Sequence, residues 1–354
     1  MVFYGGWDGW DYYRTYRSTG DEFTYRNYKG EINKTSGYGH NFNVVTNNEG
    51  LDFGDEVKAI NSDYYAYLGA IRQFCNPKVK EINILACPGV ELVNTPMLCN
   101  SVIDMVENER ADCIYCMSFV DKPLGAGDSQ DEMYTPDEIV NLVEDSGVDS
   151  SYTTVFYPWE RYYDSDNSQY IWLPTVRDQV KDLAYTDNIA ESWWAAVGYT
   201  RGGLDSSAAG PRRKLKLAEQ DILYTNRINF VNTFSGESDK LWGDKNLQVK
   251  DSQLNRTSTR RLLLRIKKML SNACIGMLFD PADSSQAKDL DSACRSVMQQ
   301  VKDKRGVTWF DVNVDNSAEL IDQYKMNATI YFKRANNLEQ IEFTSVLTPN
   351  GLQF

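Results

Sequence analysis

The chain has 354 residues, 42% hydrophobic and 25% charged, which is enough apolar content for packed cores and excludes a largely disordered chain. Lys and Arg number 37 against 50 Asp and Glu, a net charge of −13. That balance excludes a general nucleic-acid binder, because neutralising phosphates needs a net basic surface.

Residues 1–50 are rich in Tyr, Gly and Asn with weak periodicity, which predicts loops and short strands, with GGWDG as a tight turn. The start, MVFYGGWDGWDYYR, has neither the basic nor the apolar region of a signal peptide, and no apolar run approaches the ~20 residues that span a bilayer. Seven scattered cysteines, an odd number, predict free thiols kept in a reducing cytoplasm. The chain's single histidine, His40, lies in the glycine-rich stretch SGYGHNF and is expected in a loop. Any histidine chemistry would have to pass through it.

From Asn61 the pattern turns helical, with Tyr64, Tyr67, Leu68, Ile71 and Phe74 at helical spacing and Pro77 as the stop. EINILAC, from Glu81 to Cys87, predicts a short buried strand. Thr95-Pro96 predicts a helix start, with the hydroxyl as cap and proline in the first helical position. Leu98, Val102, Met105 and Val106 are its expected inner face. CIYCMSF, Cys113 to Phe119, predicts a second strand. Its CxxC spacing places Cys113 and Cys116 on opposite faces, as buried thiols rather than a zinc or redox pair. Thr135-Pro136-Asp137-Glu138 is a capping box ahead of Ile139, Leu142 and Val143. YTTVFY, Tyr152 to Tyr157, is a third strand, closed by Pro158-Trp159. Three apolar strands joined by helices predict a parallel sheet with right-handed crossovers.

Residues 200–216, which include RGGLDSSAAGPRRKLK from Arg201, predict a linker or long loop. GYTRGGL is glycine-rich but lacks the Gly-Lys-Ser/Thr of a phosphate loop, and paired acids such as Asp104 with Glu107 are expected as solvated helix faces. Beyond the linker, Leu262, Ile266, Met269, Ala273 and Met277 make one helical stripe, and Ala287, Leu290, Cys294, Val297 and Val301 another, ended by Gly306. VTWFDVNV, NATIYFK and EQIEFTSV follow as strands, predicting a separate α+β domain. The expected fold class is therefore α/β, a central parallel-sheet domain with flanking helices over 1–215, followed by a smaller α+β C-terminal domain over 216–354. From Arg201 to Lys268, fifteen Lys or Arg face seven Asp or Glu within this acidic chain. Arg261, Arg265 and Lys268 form a polar stripe on one helix, a candidate docking face for an acidic partner.

Several segments, in order, resemble the contractile tail sheath proteins of phages and related injection machines. They are GGWDGWD; INILACPGV with NERADCIYCMSFVDKP; YTTVFYPW; IWLPTVRDQVKDLAYTDN; ESWWAAVGYTRGGL; KLWGDKNL; STRRLLLRIKKML; GMLFDP; and EQIEF with Glu339. Asp280 stands where the family usually has Glu, and WWAAVG lacks its Ala-Pro. The resemblance implies a non-catalytic central domain of subtilisin-like α/β topology. A protease of that fold needs Asp, His and Ser together, whereas His40 lies outside the strand-helix core and no Gly-Thr-Ser nucleophile turn is present. It further implies a structural subunit, without cofactors, that assembles helically around an inner tail tube protein and contracts to drive it through a cell envelope. Its partners would be itself, the tube, and baseplate and tail terminator proteins, in a virion tail assembled in the host cytoplasm, with no nucleic acid and no membrane insertion. A sheath of a bacterial contractile secretion or bacteriocin system is the alternative, and a subtilisin-like hydrolase a remote one. On this resemblance the acidic partner of Arg261, Arg265 and Lys268 is the tube. Val346, Leu347, Leu352 and Phe354 form an expected inter-subunit arm, broken by Pro349-Asn350-Gly351. Only Met-Val-Phe-Tyr precedes the GGWDG segment, so a shortened member lacking the N-terminal arm, largely monomeric in dilute solution, is expected.

Overall fold

A computed structural model describes residues 62–337 except 94, 121, 123–128, 166–167 and 235, together with residue 339. The GGWDG turn, His40 and the segment carrying Val346, Leu347, Leu352 and Phe354 lie outside the described residues, as does EQIEF apart from Glu339.

The expected alternation of strand and helix is present. Helix α1 (Ser62–Gln73) is followed by strand β1 (Ile84–Glu91), helix α2 (Pro96–Asp104) and strand β2 (Ile114–Ser118). Helix α3 (Pro136–Asp145) then leads to strand β3 (Thr153–Tyr157). β1 pairs in parallel with β2, and β2 with β3. The α3 capping box is complete: Glu138 N–H donates to Thr135 Oγ1 at 3.4 Å and Thr135 N–H to Glu138 Oε2 at 2.7 Å. The expected Thr95 cap is not made. Its hydroxyl instead accepts from Glu91 N–H at 2.7 Å and donates to Glu91 C=O at 2.9 Å, closing the β1–α2 turn. A π-helical turn, Met105–Arg110, extends α2 and stops at Ala111 with φ 49°.

Beyond β3 the chain adds elements that periodicity did not reveal. Strands β4 (Glu160–Asp164) and β5 (Gln169–Leu173) form an antiparallel pair. Helices α4 (Val176–Ile189) and α5 (Gly198–Arg201) lead to strand β6 (Ala208–Pro211), which pairs with β4. The expected linker is thus part of a three-stranded sheet ordered β5-β4-β6. Helix α6 (Leu217–Thr225) precedes strand β7 (Asn229–Asn232) and strand β8 (Lys240–Trp242). β7 joins β3 in parallel and β8 joins β7 antiparallel, giving a five-stranded sheet ordered β1-β2-β3-β7-β8.

This sheet is buried on both faces, as parallel sheets require. Tyr115, Met117, Val155 and Tyr157 face Leu98, Val102, Ile139, Val143 and Leu223 of α2, α3 and α6. Ile114 and Cys116 face the other way, onto Leu183 of α4 and Leu264 of helix α7 (Thr257–Cys274). Each such fully buried aliphatic side chain contributes about 1.5–3 kcal/mol. Cys113 and Cys116 fall into opposite cores, as their spacing predicted. Burial first of all pushes their thiols up, to about 11 and about 12, so both stay protonated and poor as metal ligands or nucleophiles.

The chain divides into compact units at Asn272/Ala273, not after residue 215. The reason is pairing: β7 and β8 complete the central sheet, so residues 216–272 belong to the first unit. In the second unit, helix α8 (Ser284–Asp303) packs on strand β9 (Val307–Asp315), followed by helix α9 (Ala318–Ile321) and strand β10 (Asn327–Arg334). β9 and β10 pair antiparallel, with Phe310 opposite Phe332 and Val312 opposite Ile330. The α+β expectation holds here, with two strands described rather than three.

Candidate functional site

Helix α7 is amphipathic and buries Leu262 and Ile266 of the expected stripe together with Leu264, while Ala273 is exposed and Met277 lies beyond the helix; its cations do not form a free stripe. Arg261 is only 4% exposed, and its Nη2 donates to both oxygens of Asp187 at 2.6 and 2.7 Å. Lys268 Nζ donates to the Ile82 carbonyl at 2.9 Å and to Asn83 Oδ1 at 2.6 Å, and lies 3.5 Å from Asp112. Asp112 also holds buried Arg110, whose Nη2 reaches the Lys80 carbonyl at 2.8 Å. Of these three, only Arg265 is exposed. A cleft of about 190 Å³ separates these groups, and its wall carries Asp112, Asp187 and Glu191 as well as Arg261, Arg265 and Lys268. Equal numbers of opposite charges cancel the field that a docking stripe would need. The helical spacing located the cations correctly. It could not show the carboxylates that the fold brings to them.

The segments that carried the resemblance serve as joints of the scaffold. In KLWGDKNL, Gly243 sits at φ 100°, and a Cβ there would lie 2.6 Å from Asn229 Oδ1. Asn229 accepts from Lys245 N–H at 2.8 Å and donates to the Lys245 and Val155 carbonyls at 2.7 and 3.1 Å. Asp244 receives Ser258 N–H at 3.2 Å and the Ser258 hydroxyl, seating the first turn of α7. Asn246 donates to the Ser151 and Leu254 carbonyls at 3.0 and 2.6 Å. In GYTRGGL, a Cβ on Gly202 would meet the Leu241 carbonyl at 2.7 Å, so glycine there admits β8.

A third joint was not anticipated. Asp178 of α4, fully buried, accepts the Tyr162 hydroxyl, Asp205 N–H at 2.9 Å and Lys181 Nζ at 3.1 Å. Glu160 of β4 is buried with neither carboxyl oxygen hydrogen-bonded. Burial, then Asp239 and Asp178, pushes its carboxyl up to about 9. Asp182 is pushed up to about 8 by burial, against the opposing charge of Lys181. The only sequence signal for this joint is acidic residues inside an apolar helix pattern.

The second unit offers a different kind of surface. β9 and β10 form a two-stranded sheet with no further strand on either edge among the described residues. Trp309 and Tyr331, each more than half exposed, stand on the face turned away from Val312. Among the described residues no three His, Cys, Asp or Glu are grouped to hold a metal ion, and no helix is long and apolar enough to cross a membrane.

Fold and surfaces together define a mixed α/β protein with a helix-sandwiched, mostly parallel central sheet and a smaller C-terminal unit with a two-stranded sheet among the described residues. Proteins similar to it are tail sheath proteins. The tail sheath protein of Vibrio phage KVP40 is 29% identical over 71% of this chain and 39% of its own length. That of Enterobacteria phage T4 is 26% identical over 58% of this chain and 32% of its own. The chain thus spans about two fifths or less of these relatives. The helical sheath of the anti-feeding prophage in its contracted state shares the fold, with a TM-score of 0.60 at 17% identity over 81% of this chain and 74% of that one. No family model matches the chain.

Proposed function

We propose that this chain is a non-enzymatic structural subunit of a contractile tail sheath, assembling helically around an inner tube and contracting to drive it through a cell envelope. The observation that carries this reading is the β9–β10 sheet, which among the described residues has no further strand on either edge, so that its edges can accept strands from neighbouring copies. An isolated two-stranded sheet is marginal in water, so added strands would stabilise it. The segment with Val346, Leu347, Leu352 and Phe354 is the candidate donor. Head-to-tail exchange of this kind generates an open helix where the rotation between copies does not close into a ring. Arg265 remains the candidate tube contact on α7, while Arg261 and Lys268 hold the helix in place. In this reading the first unit is a non-catalytic relative of the subtilisin-like topology. The partners are other copies, the inner tube, and baseplate and terminator proteins of a virion tail assembled in the host cytoplasm.

A sheath of a bacterial contractile system is the second reading, favoured by the fold shared with the anti-feeding prophage sheath. Co-expression with an inner tail tube protein, followed by negative-stain microscopy, tests the proposal. Decorated tubes are expected, and they should be lost when residues 341–354 are removed. Bare tubes beside soluble monomers of the full chain would overturn it.

A further inference from the structure

Charge is unevenly laid out along the first unit. From Asp131 to Asp149 the sequence holds seven Asp or Glu and no Lys or Arg, more than half of the net −13. All seven are exposed, on the 3₁₀ turn Gln130–Glu132, on α3 and just beyond it. None has an ion pair among the described residues. Hydrogen bonds from Thr135, and after them the Arg213 charge, hold the Glu138 carboxyl below the usual range, so the start of α3 meets a cation of its own chain. Glu144 and Asp145 stand two turns further on, about 10 Å along the axis. They occupy the last turn of α3, which carries no basic residue. Negative charge at that end opposes the helix dipole, so these two acids weaken α3 rather than support it.

The opposite charge gathers on the β5-β4-β6 sheet. β4 buries Glu160 and Tyr162 and exposes Arg161 and Tyr163. Register sets Trp172 across from Arg161 and Tyr170 across from Tyr163, so these four share the outer face, and no acid of β4 or β5 joins them. The Arg161 guanidinium lies 4.2 Å over the Tyr170 ring and has no carboxylate partner among the described residues. Stacked in this way, a guanidinium is held in place with its N–H edge left for a carboxylate. Arg212, at the end of β6, lies 4.9 Å over the Trp172 ring. Four Lys or Arg and no acid occupy Ser206 to Ala218, and Lys214 and Lys216 among them are exposed. Exposed Tyr, Trp and Arg on one face is also the composition of interface centres.

We propose that these surfaces are the two halves of one interface between copies of this chain, with Arg161 and Lys214 of one copy meeting Glu144, Asp145 and Asp149 of the next. A second copy is the occupant because it carries the missing charge: an acidic face without cations answers a basic face without acids. Opposite fields of this kind steer encounter and fix register. The two faces are different surfaces, so the contact is heterologous and leaves one of each open at the ends of a growing assembly. It rests on the reading that copies assemble around a tube.

The test compares three full-length proteins, each produced with an inner tail tube protein and viewed by negative stain: the unsubstituted chain, Arg161→Glu with Lys214→Glu, and Glu144→Lys with Asp145→Lys. All four positions are exposed, so urea midpoints should stay close to the parent's. Each variant alone should decorate tubes about tenfold less or worse, since like charges now face each other. The two variants produced together should restore decoration, because the reversed faces are again opposite. Carbodiimide coupling of the unsubstituted chain mixed with its heavy-isotope form supplies a check free of substitutions. Its expected product joins Lys214 of one copy to Glu144, Asp145 or Asp149 of another. Variants that decorate like the parent, a mixture as inactive as its members, or couplings confined to single chains would overturn the interface while leaving the sheath reading intact. Bare tubes with the unsubstituted chain would strike the sheath reading itself, and the interface with it.

Discussion

Arg261 turns one guanidinium nitrogen onto both carboxylate oxygens of Asp187, joining the first turns of α7 to the end of α4. The pair converts a cation that helical spacing offered to a partner into one that holds two of the protein's own helices together.

Reversing that cation should therefore destabilise the fold rather than merely block assembly. Arg261→Glu would bury a carboxylate against Asp187, and losing one member of a buried pair typically costs about 3–5 kcal/mol. Asp187 is part-exposed, so about 3 kcal/mol is expected. Arg265→Glu, on the exposed face, should change stability by about 0.5 kcal/mol or less. Urea denaturation of the two variants separates the positions.

The buried carboxyls of Glu160 and Asp182 make stability depend on pH. Both hold protons in the fold at pH values where the unfolded chain has already lost them, since ordinary carboxyls titrate near 4. Their stabilising effect is complete below that range and is lost as pH rises through about 8 and about 9. Glu160→Gln keeps the side chain neutral throughout. Its urea midpoint should exceed that of the parent at pH near 9 and approach it at pH near 5; a parallel decline in both proteins would refute the assignment to Glu160.

Gly243→Ala combines two penalties, a φ of 100° and a Cβ driven to 2.6 Å from Asn229 Oδ1. Left-handed strain alone costs about 1–3 kcal/mol, and displacing Asn229 also breaks the bonds that tie Lys245 to β3. A loss above about 2 kcal/mol is expected by thermal or urea unfolding. A near-neutral result would mean that the loop relaxes freely.

Two threonines ahead of helices should behave differently. Thr135→Ala removes a true cap and should cost about 1 kcal/mol, with faster amide exchange at Glu138. Thr95→Ala should instead speed exchange at Glu91, because its hydroxyl serves the turn rather than the helix.

Local chemistry determined much of this protein. Strand-helix alternation announced β1, β2 and β3, the Thr135–Glu138 spacing announced a cap, and period-two geometry sent Cys113 and Cys116 to opposite cores. The apolar stripe of α8 and the strand character of β9 and β10 were equally legible, because each depends on neighbours a few residues away. Tertiary structure alone decided where the first unit ends, since β7 and β8 are three or four residues long and become strands only by pairing with β3 and each other. It likewise turned an apparent linker into β6, and an apparent docking stripe into Arg261 and Lys268 bound to groups 74 and 186 residues distant. A charge's spacing along a helix tells which way it points; only the folded chain brings up the carboxylate it meets.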